Sequence, residues 1–184
     1  MNSGKILVAK NNGVYVLKFN GDVRLTLCAA LDIFLEKMMA EPKLQAVFID
    51  LSDTQGIDST SLGFLAKISI LTQKNFGWKP SIISVSDDIT RLLLSMSFDQ
   101  VFNIIEERID NNDNLDELPC MEASEQDTKE QVIEAHTILM GLSDDNKVKF
   151  QELVSMLESS WAYLGFLRYI TCWPDEHSRC VLNE

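Results

Sequence analysis

Residues 45–63 read QAVFIDLSDTQGIDSTSLG, and this stretch decides the fold. Gln45–Leu51 contains Ala46, Val47, Phe48 and Ile49 in a continuous apolar run, the pattern of a strand covered on both faces. A polar loop over Ser52–Ile57 follows. Asp58-Ser59-Thr60-Ser61 then opens a helix whose Leu62, Leu65, Ile68, Ile70 and Leu71 continue at helical spacing to about Gly77. A buried strand feeding a helix through a short loop is half of a parallel crossover unit, so the flanking sequence should supply the rest.

Working outward, the sequence supplies it on both sides. Upstream, Ile6–Val8 and Val14–Phe19 flank Asn11-Asn12-Gly13, which is hairpin turn chemistry. Leu27, Ala30, Leu31, Phe34, Leu35, Met38 and Met39 then recur at helical spacing before Pro42. Downstream, Pro80 precedes a strand at Ser81–Val85. Asp87 and Asp88 begin a third helix with Leu92, Leu93 and Met96 inside, and a last strand lies near Val101–Ile105. The predicted class is α/β: a mixed, largely parallel sheet opened by an antiparallel hairpin, with its helices on one face.

The rest of the chain is of a different kind. The 184 residues carry 16 basic and 28 acidic side chains, a formal charge of −12. Residues 1–110 hold 11 and 13 of these, while 111–184 hold 5 and 15. Such an acidic balance opposes the counterion release that drives nucleic-acid binding, so no nucleic-acid partner is expected. The predicted organisation is a sheet domain over 1–110, an acidic linker over 111–127, a helical hairpin over 128–170 and a tail over 171–184 without periodicity, read as disordered. In the hairpin, Val132, Ile133, Leu139 and Met140 lead to Gly141. Ser143 caps a second helix with the stripe Phe150, Leu153, Leu157, Trp161 and Leu164. That stripe needs cover, from its partner helix, from the sheet domain or from a second copy in a homodimer.

Several functional classes find no support. Trp161–Trp173, the most apolar stretch, is interrupted by Arg168 and falls short of a membrane span. Its aromatic residues lack the basic neighbours of a lipid-surface anchor, so no membrane partner is expected. Met1–Lys5 leads into a four-residue apolar patch, too short for a secretory signal, and a cytoplasmic location is expected. Cys28, Cys120, Cys172 and Cys180 are read as reduced thiols, and Cys172, His177 and Cys180 lack zinc-site spacing, so neither a disulfide nor a metal is expected. No Gly-x-Ser-x-Gly elbow or phosphate-binding glycine loop occurs, and His136 and His177 lie outside the sheet domain. The chain is read as a non-enzyme without a cofactor, and His136 as a surface or partly buried helix residue.

What remains is Asp58-Ser59-Thr60-Ser61. A hydroxyl at a helix N-terminus faces unpaired N–H groups and the positive end of the dipole, a favourable place for a phosphate group. The same residues are ordinary helix caps, and on the residues alone capping is the commoner explanation.

The succession strand, loop and Asp-Ser-Thr-Ser-Leu-Gly at 58–63 resembles the signature of the STAS domain of bacterial anti-sigma factor antagonists, Asp-Ser-(Ser/Thr)-Gly-Leu-Gly. The resemblance covers about residues 4–108. Asp58, Leu62 and Gly63 match, and Ser61 stands where the family carries glycine. The resemblance implies phosphorylation at Ser59, with Thr60 and Ser61 as lesser alternatives. It implies a partner surface of Asp53, Gly56, Asp58, Ser59, Thr60, Leu62 and Gly63 together with the exposed side of the second helix. It also implies an anti-sigma factor or serine kinase as partner, and a serine phosphatase to reset the switch. The added helices are similar to a subgroup whose phosphatase is fused to a response regulator. A STAS module that binds a small ligand or serves a transporter, with no phosphoswitch, is the alternative.

Overall fold

The computed structural model describes residues 4–108, 115–119, 121 and 123–170, with the backbone alone over 160–170. Strands β1 (Lys5–Asn11) and β2 (Val14–Val23) form the opening hairpin. Asn12 at φ 48° and Gly13 at φ 84° give the doubly left-handed turn whose twist matches the flanking strands. A short 3-10 turn at Leu25–Leu27 leads into α1 (Cys28–Met39), followed by β3 (Ala46–Ile57), α2 (Ser59–Phe76), β4 (Ser81–Ile83), α3 (Asp87–Ser95) and β5 (Asn103–Ile105). Further along the chain come β6 (Asp116–Glu117), α4 (Glu125–Met140) and α5 (Asp144–Ile170).

The sheet order is β5-β4-β3-β2-β1-β6. β2, β3, β4 and β5 pair in parallel through the helical crossovers, and β1 is antiparallel to both of its neighbours. This is the expected α/β class. One sheet face carries the core: Ile6, Tyr15, Leu17, Phe19, Val47, Ile49 and Leu51 alternate inward and pack with Leu31, Leu35, Leu62, Leu65 and Ile68 of α1 and α2. The opposite face presents Lys18 and Asp50.

Three local expectations need correction. Ser52–Ile57 is not a loop but the second half of β3, because β2 runs on to Val23 and supplies a pairing partner from Asn20 to Val23. Two register shifts in that pairing absorb the irregular polar stretch. Within 111–127, Asp116–Glu117 is not free linker; it pairs with Val8 and Leu7 at the edge of β1. The first hairpin helix begins inside that segment, at Glu125, where the Ser124 hydroxyl accepts from the Asp127 N–H. The tail 171–184, with Cys172, Trp173, His177 and Cys180, lies outside the described residues, as do Cys120 and the side chains of Trp161, Tyr163, Leu164, Phe166 and Tyr169.

The hairpin packs back on the sheet domain. Ala135 and Leu139 of α4 are part of the main core, and Ile138, Leu142 and Phe150 pack against it. Polar ties hold the second helix as well: Asn146 Nδ2 donates to Met96 O at 2.9 Å and Leu139 O at 3.1 Å, and Lys149 Nζ donates to Ser95 O at 2.9 Å. These carbonyls lie at the ends of α3 and α4, and the Leu139 carbonyl also accepts from the Leu142 N–H at 3.1 Å. On α5, Phe150 and Leu157 are half-buried and Val154 is buried, while Leu153 of the expected stripe is exposed.

Candidate functional site at the start of helix α2

The site begins with Asp58, whose extended backbone (φ −84°, ψ 165°) ends β3 and whose side chain caps α2. Its Oδ1 accepts from the Ser61 N–H at 2.8 Å and its Oδ2 from the Leu25 N–H at 2.8 Å. One carboxylate thus joins the start of α2 to the turn before α1, and fixes the direction in which residues 59–61 project.

The three hydroxyls have different surroundings. Ser61 is 3 % exposed, and its Oγ lies 3.8 Å from the Cys28 Sγ beneath the helix. Thr60 is 6 % exposed. Ser59 is half-buried on the outer side of the first turn. Its Oγ lies 2.9 Å from Nε2 of His136 on α4. The other ring nitrogen, Nδ1, lies 2.7 Å from Val132 O, and because a carbonyl only accepts, Nδ1 carries the hydrogen. In the neutral ring Nε2 is then the acceptor, and the Ser59 hydroxyl donates to it.

His136 is 3 % exposed and packs edge-on against Phe150, ring centroids 5.1 Å apart. The expectation of a surface or partly buried residue is corrected: 77 positions from Ser59 in sequence, His136 is its neighbour in space. A signal for this exists in the sequence, since Val132, Ala135, His136 and Leu139 share one face of α4. A polar ring on an apolar stripe calls for a hydrogen-bond partner.

Further along α2 the fit with α4 is closer still. A Cβ placed on Gly63 would lie 2.4 Å from Ala135 O and 2.5 Å from Ala135 Cβ. Lys67, one turn on, lies 2.9 Å from Asp32 Oδ1 of α1 and 2.9 Å from Glu134 Oε1 of α4. Burial works against the charge on Lys67, but hydrogen bonds to the two carboxylates and their charges outweigh it and hold its pKa above the ordinary value. The outer side of α2 is therefore not open, as expected for a docking face; α4 covers it.

The remaining candidate residues separate. Leu62 is 1 % exposed and belongs to the core, so its side chain offers nothing to a partner in the folded chain. Gly56 lies against Asp22, whose Oδ1 would be 2.6 Å from an added Cβ. Asp53 belongs to a charged cluster at the sheet: Lys18 Nζ lies 2.7 Å from its Oδ2, and Arg108 donates to its Oδ1 at 2.7 Å. The hydrogen bond from Lys18, reinforced by Arg108, lowers the Asp53 pKa, and the same bond raises that of Lys18. A cavity of about 660 Å³ opens beside this cluster, where Asn20 Oδ1 and Ser52 Oγ are buried without a partner among the described residues.

The STAS domain family profile matches residues 5–111, more than half of the chain and all of the sheet from β1 to β5. The chain belongs to the STAS domain family. The matched segment ends before α4, so the STAS domain contributes Ser59 and Gly63 to the contact just described, and the segment beyond it contributes His136 and Ala135. No curated protein matches the chain. No helix among the described residues is long and apolar enough to cross a membrane.

Proposed function

We propose that this STAS protein is a bacterial, cytoplasmic, non-enzymatic antagonist of an anti-sigma factor, switched by phosphorylation of Ser59 and acting on transcription through the sigma factor it frees. In this reading the unmodified protein binds an anti-sigma factor or switch kinase. A serine kinase ends the interaction, and a serine phosphatase, in this subgroup fused to a response regulator, restores it. The observation that carries the reading is that Ser59, alone among the three successive hydroxyl residues, is not buried, and that it sits in the first turn of α2 next to the Asp58 cap.

Phosphorylation forms a bond from Ser59 Oγ to the γ-phosphorus of a nucleoside triphosphate, breaks the bond to the diphosphate leaving group, and releases the hydroxyl proton. The product adds about −1.5 to −2 charges at a helix start that tolerates them. Centred in a protein interface, an unpaired charge costs about 3–5 kcal/mol, a hundredfold to few-thousandfold loss of affinity.

Intact-mass measurement and fragment mapping of protein from its native cells, with phosphatase treatment as control, tests the reading. A phosphate on Ser59 that varies with growth conditions is expected. Its absence under every condition refutes the switch, and a phosphate on Thr60 or Ser61 moves it. With a partner in hand, Ser59→Ala should bind constitutively and Ser59→Asp more weakly; equal affinities refute the placement.

A further inference from the structure

We infer that the C-terminal hairpin is a lid over the Ser59 face of α2, competing there with both the modifying enzyme and the binding partner; the inference rests on the phosphoswitch reading for what is gated, not for the lid itself.

The docked hairpin uses up what a second protein would need. The Ser59 hydroxyl proton is engaged by His136 Nε2, Gly63 is sealed by the Ala135 backbone, and Lys67 is paired with Glu134. Phosphorylated Ser59 is incompatible with this arrangement. Its Oγ has lost the proton that bonded Nε2, and a tetrahedral group with three further oxygens cannot enter a 2.9 Å contact. The kinase must therefore act on the open form, and the product stays open. An unmodified partner site is available only in the fraction of molecules that are open, so apparent affinity falls by that fraction.

The construction is that of a separable part. Among the described residues its ties to the STAS domain include a hydroxyl–imidazole bond, a lysine bridge, two donors to the α3 terminus and an apolar strip on α4 and early α5. Among the described residues that lie between β5 and α4, Asp116–Glu117 pairs with the edge of β1 and the Leu118 N–H donates to Ile6 O.

The test places a thiol at the site, Ser59→Cys, in the full chain and measures labelling by a bulky maleimide, mapped by peptide mass to separate it from Cys28, Cys120, Cys172 and Cys180. The same measurement is made with Ala135→Leu, which drives a larger side chain into Gly63, and with Glu134→Lys at an exposed position, which sets an ammonium against Lys67. Both changes lie on α4 and leave the STAS domain untouched. At least tenfold faster labelling in both is expected; equal rates in all three folded proteins overturn the lid. In native cells, Ser59 phosphate occupancy should rise severalfold with Ala135→Leu. Equal, non-zero occupancy overturns the gating. No phosphate in either, with labelling still tenfold apart, overturns the switch and sustains the lid.

Discussion

Replacing Gly63 by alanine should act with opposite sign on two parts of the same chain. Within α2 the change is favourable, because alanine is about 1 kcal/mol better than glycine in a helix interior. At the α2–α4 contact it is not. The three atoms nearest the new Cβ, at 2.4, 2.5 and 2.6 Å, all belong to Ala135, and two of them are backbone, so no rotamer relieves the clash. Ordinary carbon contacts need about 3.5–4.0 Å, so α4 must retreat by about 1 Å. That retreat stretches the 2.9 Å bond between Ser59 and His136 beyond hydrogen-bonding range and loosens Lys67–Glu134. Overpacking of this kind costs about 1–3 kcal/mol, which raises the undocked fraction about 5- to 150-fold. Hydrogen exchange read by mass spectrometry separates the two effects. Peptides from 125–140 should exchange faster by that factor, while peptides from β3 and the second half of α2 exchange at the wild-type rate or slower. Wild-type protection of 125–140 would refute the tight approach of the two helices.

Three further outcomes follow from other contacts. Asn146→Ala should lower stability by about 1–3 kcal/mol in a thermal melt, because Met96 O loses its side-chain donor and Leu139 O keeps only backbone donors, in a site where Asn146 is fully buried. Asp53, with its pKa lowered by Lys18 and Arg108, contributes stability that is present above its unfolded pKa of about 3.9 and lost as pH falls through the lower folded value. The melting-temperature gap between wild type and Lys18→Met should accordingly be present at pH 6 and close below about pH 4. Cys28, whose thiol burial pushes up to about 12, should react with a maleimide at pH 8 only at the rate of unfolding; rapid native-state labelling at this position contradicts its burial.

Much of the fold was legible because its strands and helices repeat with different periods, and because crossover handedness leaves few ways to join them. The second half of β3 escaped because Ser52-Asp53-Thr54-Gln55-Gly56 has turn composition, and only the continuation of β2 through Asn20–Val23 makes it a strand. Composition describes a residue's own preference; pairing depends on a partner 30 positions away. The same limit hid the site's second half. The stripe on α4 shows that a face must be covered, yet the surface that covers it is selected by Gly63, whose missing side chain allows the approach, and leaves no periodic mark.

The position of His136 ties these strands of reasoning to function. A histidine on an apolar helix face needs a partner, and a generic anchor for α4 could have used any donor along α2. The bond falls instead on Ser59, the one hydroxyl of three whose outer placement suits modification, while Ser61 is turned under the helix toward Cys28. Substituting His136 by alanine removes the acceptor and leaves the capped start of α2 intact, since Asp58 holds Ser61 and Leu25 without it. A purely structural histidine predicts that this variant loses stability and nothing else. A histidine that holds the lid shut on its target predicts faster labelling of Ser59→Cys when His136→Ala is added, with Leu25 and Ser61 amides still protected. The second pattern is expected, because the two ends of the contact are stabilised by different parts of the chain and only one of them depends on the imidazole.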